Sequence, residues 1–183
     1  VLQFSYNGCC VNILDTPGHQ DFSEDTYRTL MAADAAVMVI DAAKGVEAQT
    51  IKLFRVCTLR HIPIFTFVNK LDREARDPFE LMEEIENVLG INTYPMNWPI
   101  GSGRNFRGVF DRQTRRVIAF EGDGHANATK KVAEVEAELG DAKLDELIGE
   151  ENHRNLMDDI ELLDGAGDEL DLDAVSCGKL SPA

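Results

Sequence analysis

The feature that most constrains this chain is the alternation of continuous apolar runs with amphipathic helical stretches. Ala35-Ala36-Val37-Met38-Val39-Ile40 and the run from Ile62 to Val68 have strand length and no polar alternation, which predicts strands buried on both faces. Between them, from about Glu47 to Arg60, Ile51, Phe54 and Cys57 recur along one side of a helix. A further helix is predicted after Asp77, with Pro78 at its first position, Glu80 completing a capping-box-like start and Gly90 ending it. Buried strands alternating with such helices mean a βαβ architecture with a parallel sheet.

Other elements flank this frame. Val1 to Tyr6, Asn7-Gly8 and Cys9 to Asp15 read as a hairpin, because Asn-Gly supplies the positive φ angles of a two-residue turn. A helix is expected from about Ser23 to Ala33. Pro95 to Ile100 reads as a strand, and Phe106 to Asp111 with Val117 to Glu121 reads as a second hairpin. After Gly122 the chain is expected to be helical and acidic, with Leu144, Leu147, Ile148, Leu156, Ile160 and Leu163 marking apolar stripes. Leu180-Ser181-Pro182-Ala183 offers no obvious element.

Two motifs carry chemistry, each at the C-terminal end of an apolar strand, where open α/β sheets bind ligands. The first is Asp15-Thr16-Pro17-Gly18-His19. Asp15 can hold a Mg²⁺ shell through water, and Gly18 lets its backbone N–H approach a terminal phosphate. His19 is either an ordinary loop histidine or, beside such a phosphate, a residue that orients an attacking water. The second is Asn69-Lys70-Leu71-Asp72. A carboxylate at Asp72 matches two adjacent donors of guanine, the ring N–H and the exocyclic amine, a pair that adenine lacks. Asn69 would tie loops together, and the Lys70 stem would lie over the ring. Singly, each motif also fits a plain strand-to-helix turn. Together, in this order, with one strand and two helices between, they specify a guanine-nucleotide site. A phosphate loop, G-x-x-x-x-G-K-[ST], does not occur in the 183 residues, since the only Gly-Lys pair, Gly178-Lys179, is followed by Leu180.

These motifs, with His19-Gln20-Asp21-Phe22-Ser23-Glu24-Asp25-Thr26-Tyr27-Arg28-Thr29-Leu30, Val39 to Glu47 and Trp98-Pro99-Ile100-Gly101, resemble the G domain of translational GTPases, in particular the branch acting at translation termination. The resemblance implies an incomplete P-loop GTPase-like three-layer α/β sandwich with a parallel sheet, lacking its first strand and phosphate loop. It also implies a hairpin and an acidic helical insertion. Residues 1–92 would be the partial GTP-binding domain from its second strand onward. Residues 93–183 would hold the end of a strand, the hairpin and the insertion, stopping just before the strand and loop that complete the guanine site.

By the same resemblance, Asp15, Thr16, Pro17, Gly18, His19, Asn69, Lys70, Leu71 and Asp72 bind GTP or GDP, Asp15 serves Mg²⁺, and His19 is catalytic. The implied parent is a cytoplasmic GTP hydrolase that works on the ribosome to recycle stop-codon-decoding release factors, with no membrane or direct DNA binding. The piece alone would bind no nucleotide and be inactive. Its central strand being absent, it should close the gap, pair with another chain or be poorly stable. Alternatives are a segment of an elongation-factor-G-like translocase, or a nucleotide-free acidic interaction module.

Charge sharpens the division. Residues 1–120 hold 15 acidic and 13 basic residues, whereas residues 121–183 hold 18 and 5, so the second segment carries −13 of the net −15. Such a segment is either a set of solvated helix faces or a surface for a basic protein. The acidity argues against gripping a phosphate backbone. No apolar run reaches membrane-spanning length, no signal segment opens the chain, and the soluble, intracellular reading follows. Cys9, Cys10, Cys57 and Cys177 lack metal-ligand spacing and are expected to be buried, reduced thiols.

Overall fold

The computed structural model describes residues 2–16, 24–121, 133–141, 143–166 and 169–183. Strands β1 (Leu2–Tyr6) and β2 (Cys9–Ile13) form the expected antiparallel hairpin. Asn7 and Gly8 both take positive φ, 51° and 77°, which matches the turn to the right-handed twist of the strands. The register Leu2↔Ile13, Phe4↔Val11 and Tyr6↔Cys9 gathers six apolar residues on one face, and Gln3, Ser5, Cys10 and Asn12 on the other.

Helix α1 (Glu24–Met31) leads to β3 (Ala36–Asp41), α2 (Ala48–Leu59), β4 (Ile64–Asn69) and α3 (Pro78–Leu89). β3 and β4 are parallel and in register from Ala36↔Ile64 to Asp41↔Asn69. The α3 boundaries follow the predicted chemistry. The Asp77 carboxylate accepts from the N–H groups of Phe79 and Glu80 at 2.8 and 3.2 Å, and Gly90 closes the helix in the left-handed conformation at φ 70°. Ile40, Ile64, Phe54, Cys57, Ile62, Ile85 and Ile91 make one core, with α2 and α3 laid on a single face of β3–β4.

Burial on both faces, expected from the apolar runs, is not found. Val37, Val39, Phe65 and Phe67 share the opposite face and are exposed, Val37 to 66% and Phe67 to 55%. Alternation in a strand sends neighbouring side chains to opposite faces, and among the described residues only one of these faces has helices packed on it. Among the described residues the parallel pairings are β3–β4 and, further along the chain, Asn92–Tyr94 with Leu180–Pro182, and no ladder joins β1–β2 to β3–β4. The chain is therefore mixed α/β with parallel strands, and among the described residues no strand pairing closes the gap between the hairpin and β3.

The second half builds its own core. β6 (Asn97–Ile100) falls within the strand expected from Pro95 to Ile100, and β5 (Asn92–Tyr94), which was not expected, precedes it. β7 (Gly108–Asp111) and β8 (Arg116–Glu121) form the expected hairpin. β9 (Ala133–Glu138) pairs antiparallel with β8, completing a β6-β7-β8-β9 meander. This corrects the helical expectation after Gly122. Ala133-Glu134-Val135-Glu136-Ala137-Glu138 alternates strictly, and the open edge of β8 rewards that period over the helix propensity of Ala and Glu.

α4 (Leu144–Ile148) and α5 (Glu150–Gly165) cover the meander, burying Leu144, Ile148, Leu156 and Ile160 against Trp98, Ile100, Phe110 and Val117. α6 (Leu172–Ser176) precedes β10 (Leu180–Pro182), which corrects the expectation of an unstructured end. β10 pairs parallel with β5, and Ser181 is fully buried. The Ser181 hydroxyl donates to the Ile64 carbonyl at 2.9 Å. Its one proton being committed, the Thr66 hydroxyl donates to Ser181 Oγ at 2.8 Å, which ties β10 to β4. Of the four free cysteines only Cys57 is buried; Cys9, Cys10 and Cys177 are exposed.

Candidate functional site

The loop after β4 is held from several directions. Asn69 ends the strand, and its carbonyl accepts from Ala42 N–H at 2.9 Å, extending the β3–β4 pairing by one residue. Its side-chain Oδ1 accepts from Lys70 N–H at 2.9 Å, a local bond that turns the chain sharply. Lys70 takes φ 69°, a left-handed conformation that non-glycine residues adopt only when local contacts support it. The Lys70 carbonyl then accepts from Arg73 N–H at 3.1 Å, and the Leu71 carbonyl from Gly103 N–H at 2.8 Å. Asn69, Lys70, Leu71 and Asp72 are thus brought together on one braced turn, at the C-terminal end of a parallel strand.

Asp72 is exposed and lines a cleft of about 480 Å³ shared with Arg73, Glu74, Ala75, Ser102, Gly103 and Arg104. An ionised carboxylate is acceptor-only and takes two parallel N–H donors well. Leu71 is half-buried, and its carbonyl is held by the Gly103 N–H.

Asp41, at the end of β3, is a residue the sequence reading did not single out. Its Oδ2 lies 2.6 Å from Lys70 Nζ, and its Oδ1 accepts from Ala43 N–H at 3.0 Å. The Lys70 ammonium, followed by the Ala43 N–H, holds the Asp41 carboxyl below the ordinary carboxylate range. The available signal was an acidic residue ending one apolar run and a lysine just past the end of the next. A second clamp joins the same two loops. Arg76 N–H donates to the Ala42 carbonyl at 3.1 Å, Arg76 pairs with Glu84, and Glu84 accepts from Val46 N–H at 3.1 Å. Gly45 sits at φ 71° against this pair, where an added Cβ would come within 2.6 Å of Arg76 and Glu84. The positive φ favours glycine there, while the Arg76 and Glu84 side-chain ends could shift to make room.

The first motif is placed in part. Asp15 follows β2 and is exposed, and Thr16 is half-buried. Pro17, Gly18 and His19 lie outside the described residues. The exposed Asp15 carboxylate fits a magnesium ion, which keeps several waters and takes one or two carboxylates. No helix among the described residues is long and apolar enough to cross a membrane.

Residues 1–169 match the family model described as the elongation factor Tu GTP binding domain. Over 182 residues the chain is 62% identical to a peptide chain release factor 3 from Symbiobacterium thermophilum, covering all of this chain and 34% of that protein. It is 58% identical to the protein of the same name from Trichormus variabilis, covering 33% of it. The chain therefore spans about a third of the length of the curated relatives it matches. A crystal structure of a protein from Thermus thermophilus superposes with a TM-score of 0.68 at 26% identity, covering 98% of this chain and 28% of that one. By the extent of the family match, the chain belongs to the elongation factor Tu GTP-binding domain family.

Proposed function

We propose that this chain is the guanine-reading part of a translational GTPase that acts at translation termination. The observation that carries the reading is the braced turn Asn69-Lys70-Leu71-Asp72, which presents an exposed carboxylate in a cleft at the end of a parallel strand. In this reading Asp72 accepts from the ring N–H and exocyclic amine of guanine, and Asn69 fixes the loop. The Lys70 stem lies over the ring, and Leu71 anchors the turn. Asp15 serves Mg²⁺ through water, with Thr16 and Pro17 leading to the Gly18 N–H that meets the γ-phosphate. The ion neutralises charge on the phosphates. His19 orients the attacking water.

The names of the relatives support termination as the setting. A complete protein of this kind would bind GTP on the ribosome in the cytoplasm, promote recycling of the stop-codon-decoding release factors, hydrolyse GTP and leave. Residues 1–92 serve as the nucleotide-binding portion and 93–183 as the hairpin and acidic insertion of the same domain. The 183 residues contain no phosphate loop, so the main source of triphosphate affinity lies outside them.

Two measurements test the reading. Calorimetric titration of the 183-residue chain with GDP and Mg²⁺ should give undetectable or very weak binding, and micromolar affinity would contradict it. In a complete protein carrying this segment, Asp72→Asn should weaken GDP binding by about a hundredfold or more, because the donor pair of guanine loses its acceptor. The amide should at the same time admit xanthosine diphosphate, whose 2-oxo group accepts a hydrogen bond. Unchanged GDP affinity would remove Asp72 from the site.

A further inference from the structure

Lysine is a long, mobile side chain that loses much of its rotamer freedom when one conformation is imposed on it. A lysine that must lie flat under a base therefore benefits from an anchor at its far end. Lys70 has one. Its Nζ is 2.6 Å from Oδ2 of Asp41, the residue at the end of the neighbouring strand. Asp41 stands directly opposite Asn69 in the parallel register, and adjacent strands lie about 4.8 Å apart. The four-carbon stem accordingly starts at one strand end and finishes at the next, crossing the mouth of the sheet.

We propose that Asp41 is a positioning residue for guanine recognition, holding the Lys70 ammonium so that the lysine stem forms a fixed shelf for the base. The inference rests on the guanine reading of the 69–72 turn. The anchor itself is fixed. Asp41 Oδ1 is engaged by Ala43 N–H at 3.0 Å, and the backbone beside it is tied by Ala42 N–H to the Asn69 carbonyl at 2.9 Å. Its side chain is 16% exposed, against 45% for Lys70, so the carboxylate is covered while the stem remains open to a ligand. At the near end, the left-handed φ of Lys70 and its N–H bond to Asn69 Oδ1 set the direction in which the stem leaves the backbone. Apolar stems of this kind cover flat hydrophobic surface while the charge stays engaged elsewhere.

The test is the rate of GDP release from a complete protein carrying this segment, followed by chasing a fluorescent GDP analogue. Asp41→Ala should speed release about three- to fivefold, the range expected for a part-exposed ion pair. Asp41→Asn, which keeps the acceptor for Ala43, should fall between it and the parent. Lys70→Met should also speed release, and adding Asp41→Ala to it should change nothing further, because the aspartate acts through the lysine. Equal rates for Asp41→Ala and the parent would overturn the proposal, as would multiplicative effects in the double variant. Should Asp41→Ala unfold, as judged by far-UV circular dichroism, Asp41→Asn alone and in the Lys70→Met background decides by the same two criteria. Failure of the guanine reading would look different, since Asp72→Asn would then leave GDP release unchanged as well.

Discussion

The β6–β9 meander and the β3–β4 pair are both sheets with helices on one side, yet they differ in how completely the chain satisfies them. The meander puts Trp98, Phe110 and Val117 under α4, α5 and the Phe79 end of α3, and Phe110 and Val117 are wholly buried. Its polar needs are also met internally, since Trp98 Nε1 donates to Asp159 at 2.9 Å. β3–β4 buries Ile40 and Ile64 with equal care on one side but leaves two Val and two Phe residues bare on the other. The two regions meet at the 69–72 turn, where Gly103, between β6 and β7, braces Leu71 and helps line the cleft. The meander supplies a closed core, whereas the half-covered pair carries the Asp41–Lys70 contact at its end.

The comparison can be broken most forcefully at Phe110. Phe110→Ala should cost about 3–5 kcal/mol, the usual loss for an aromatic ring removed from a filled core, read as a lower midpoint in urea unfolding. A loss below about 1 kcal/mol would mean that the meander is not the tightly packed region described.

A smaller effect is expected at Asp159. Burial, then the negative charges of Asp77 and Asp158, pushes its carboxyl above the ordinary range, against the opposing pull of the Trp98 N–H. A carboxyl raised in the folded state binds its proton more tightly there than when unfolded. The stability it contributes is present below the ordinary carboxylate value and is lost as pH rises through the folded value. Asp159→Asn keeps an oxygen acceptor for Trp98 and removes the charge. It should stabilise the chain at neutral pH by less than about 1 kcal/mol, since the group is partly exposed and screened, and the gain should shrink in acid. A gain that grows toward low pH would reverse the assigned sign.

The smallest change should come from the bare side of β3–β4. Phe67→Ser should leave urea stability within about 0.5 kcal/mol, as for surface substitutions generally, while reducing self-association in sedimentation runs. A large loss of stability would show that this face is packed in solution.

What could be read in advance was local. The Asn7-Gly8 turn, the Asp77-Pro78 start and Gly90 stop of α3, and the stripes of α4 and α5 each depend on residues a few positions apart. The 69–72 turn was legible for the same reason. β9 was misread because Ala and Glu favour helices, and only the free edge of β8 made the alternation decisive. β10 was missed because three residues carry almost no periodic signal and its partners lie 88 and 115 residues away, at Asn92 and Thr66. The bare face was misjudged because an apolar run records composition and says nothing of whether a second layer is present. Asp41 escaped notice because its role depends on cross-strand register.

The Ser181–Thr66 hydroxyl contact has a consequence for the order of assembly. During synthesis β4 and β5 are complete long before β10 exists, and the ribosome adds only about 5–20 residues per second. The β6–β8 portion of the meander, whose contacts are close in sequence, can form in that interval, whereas the seat between β4 and β5 stays empty. Leu180–Pro182 therefore acts as a late keystone, and the Thr66 hydroxyl waits in water until Ser181 arrives to accept its hydrogen bond.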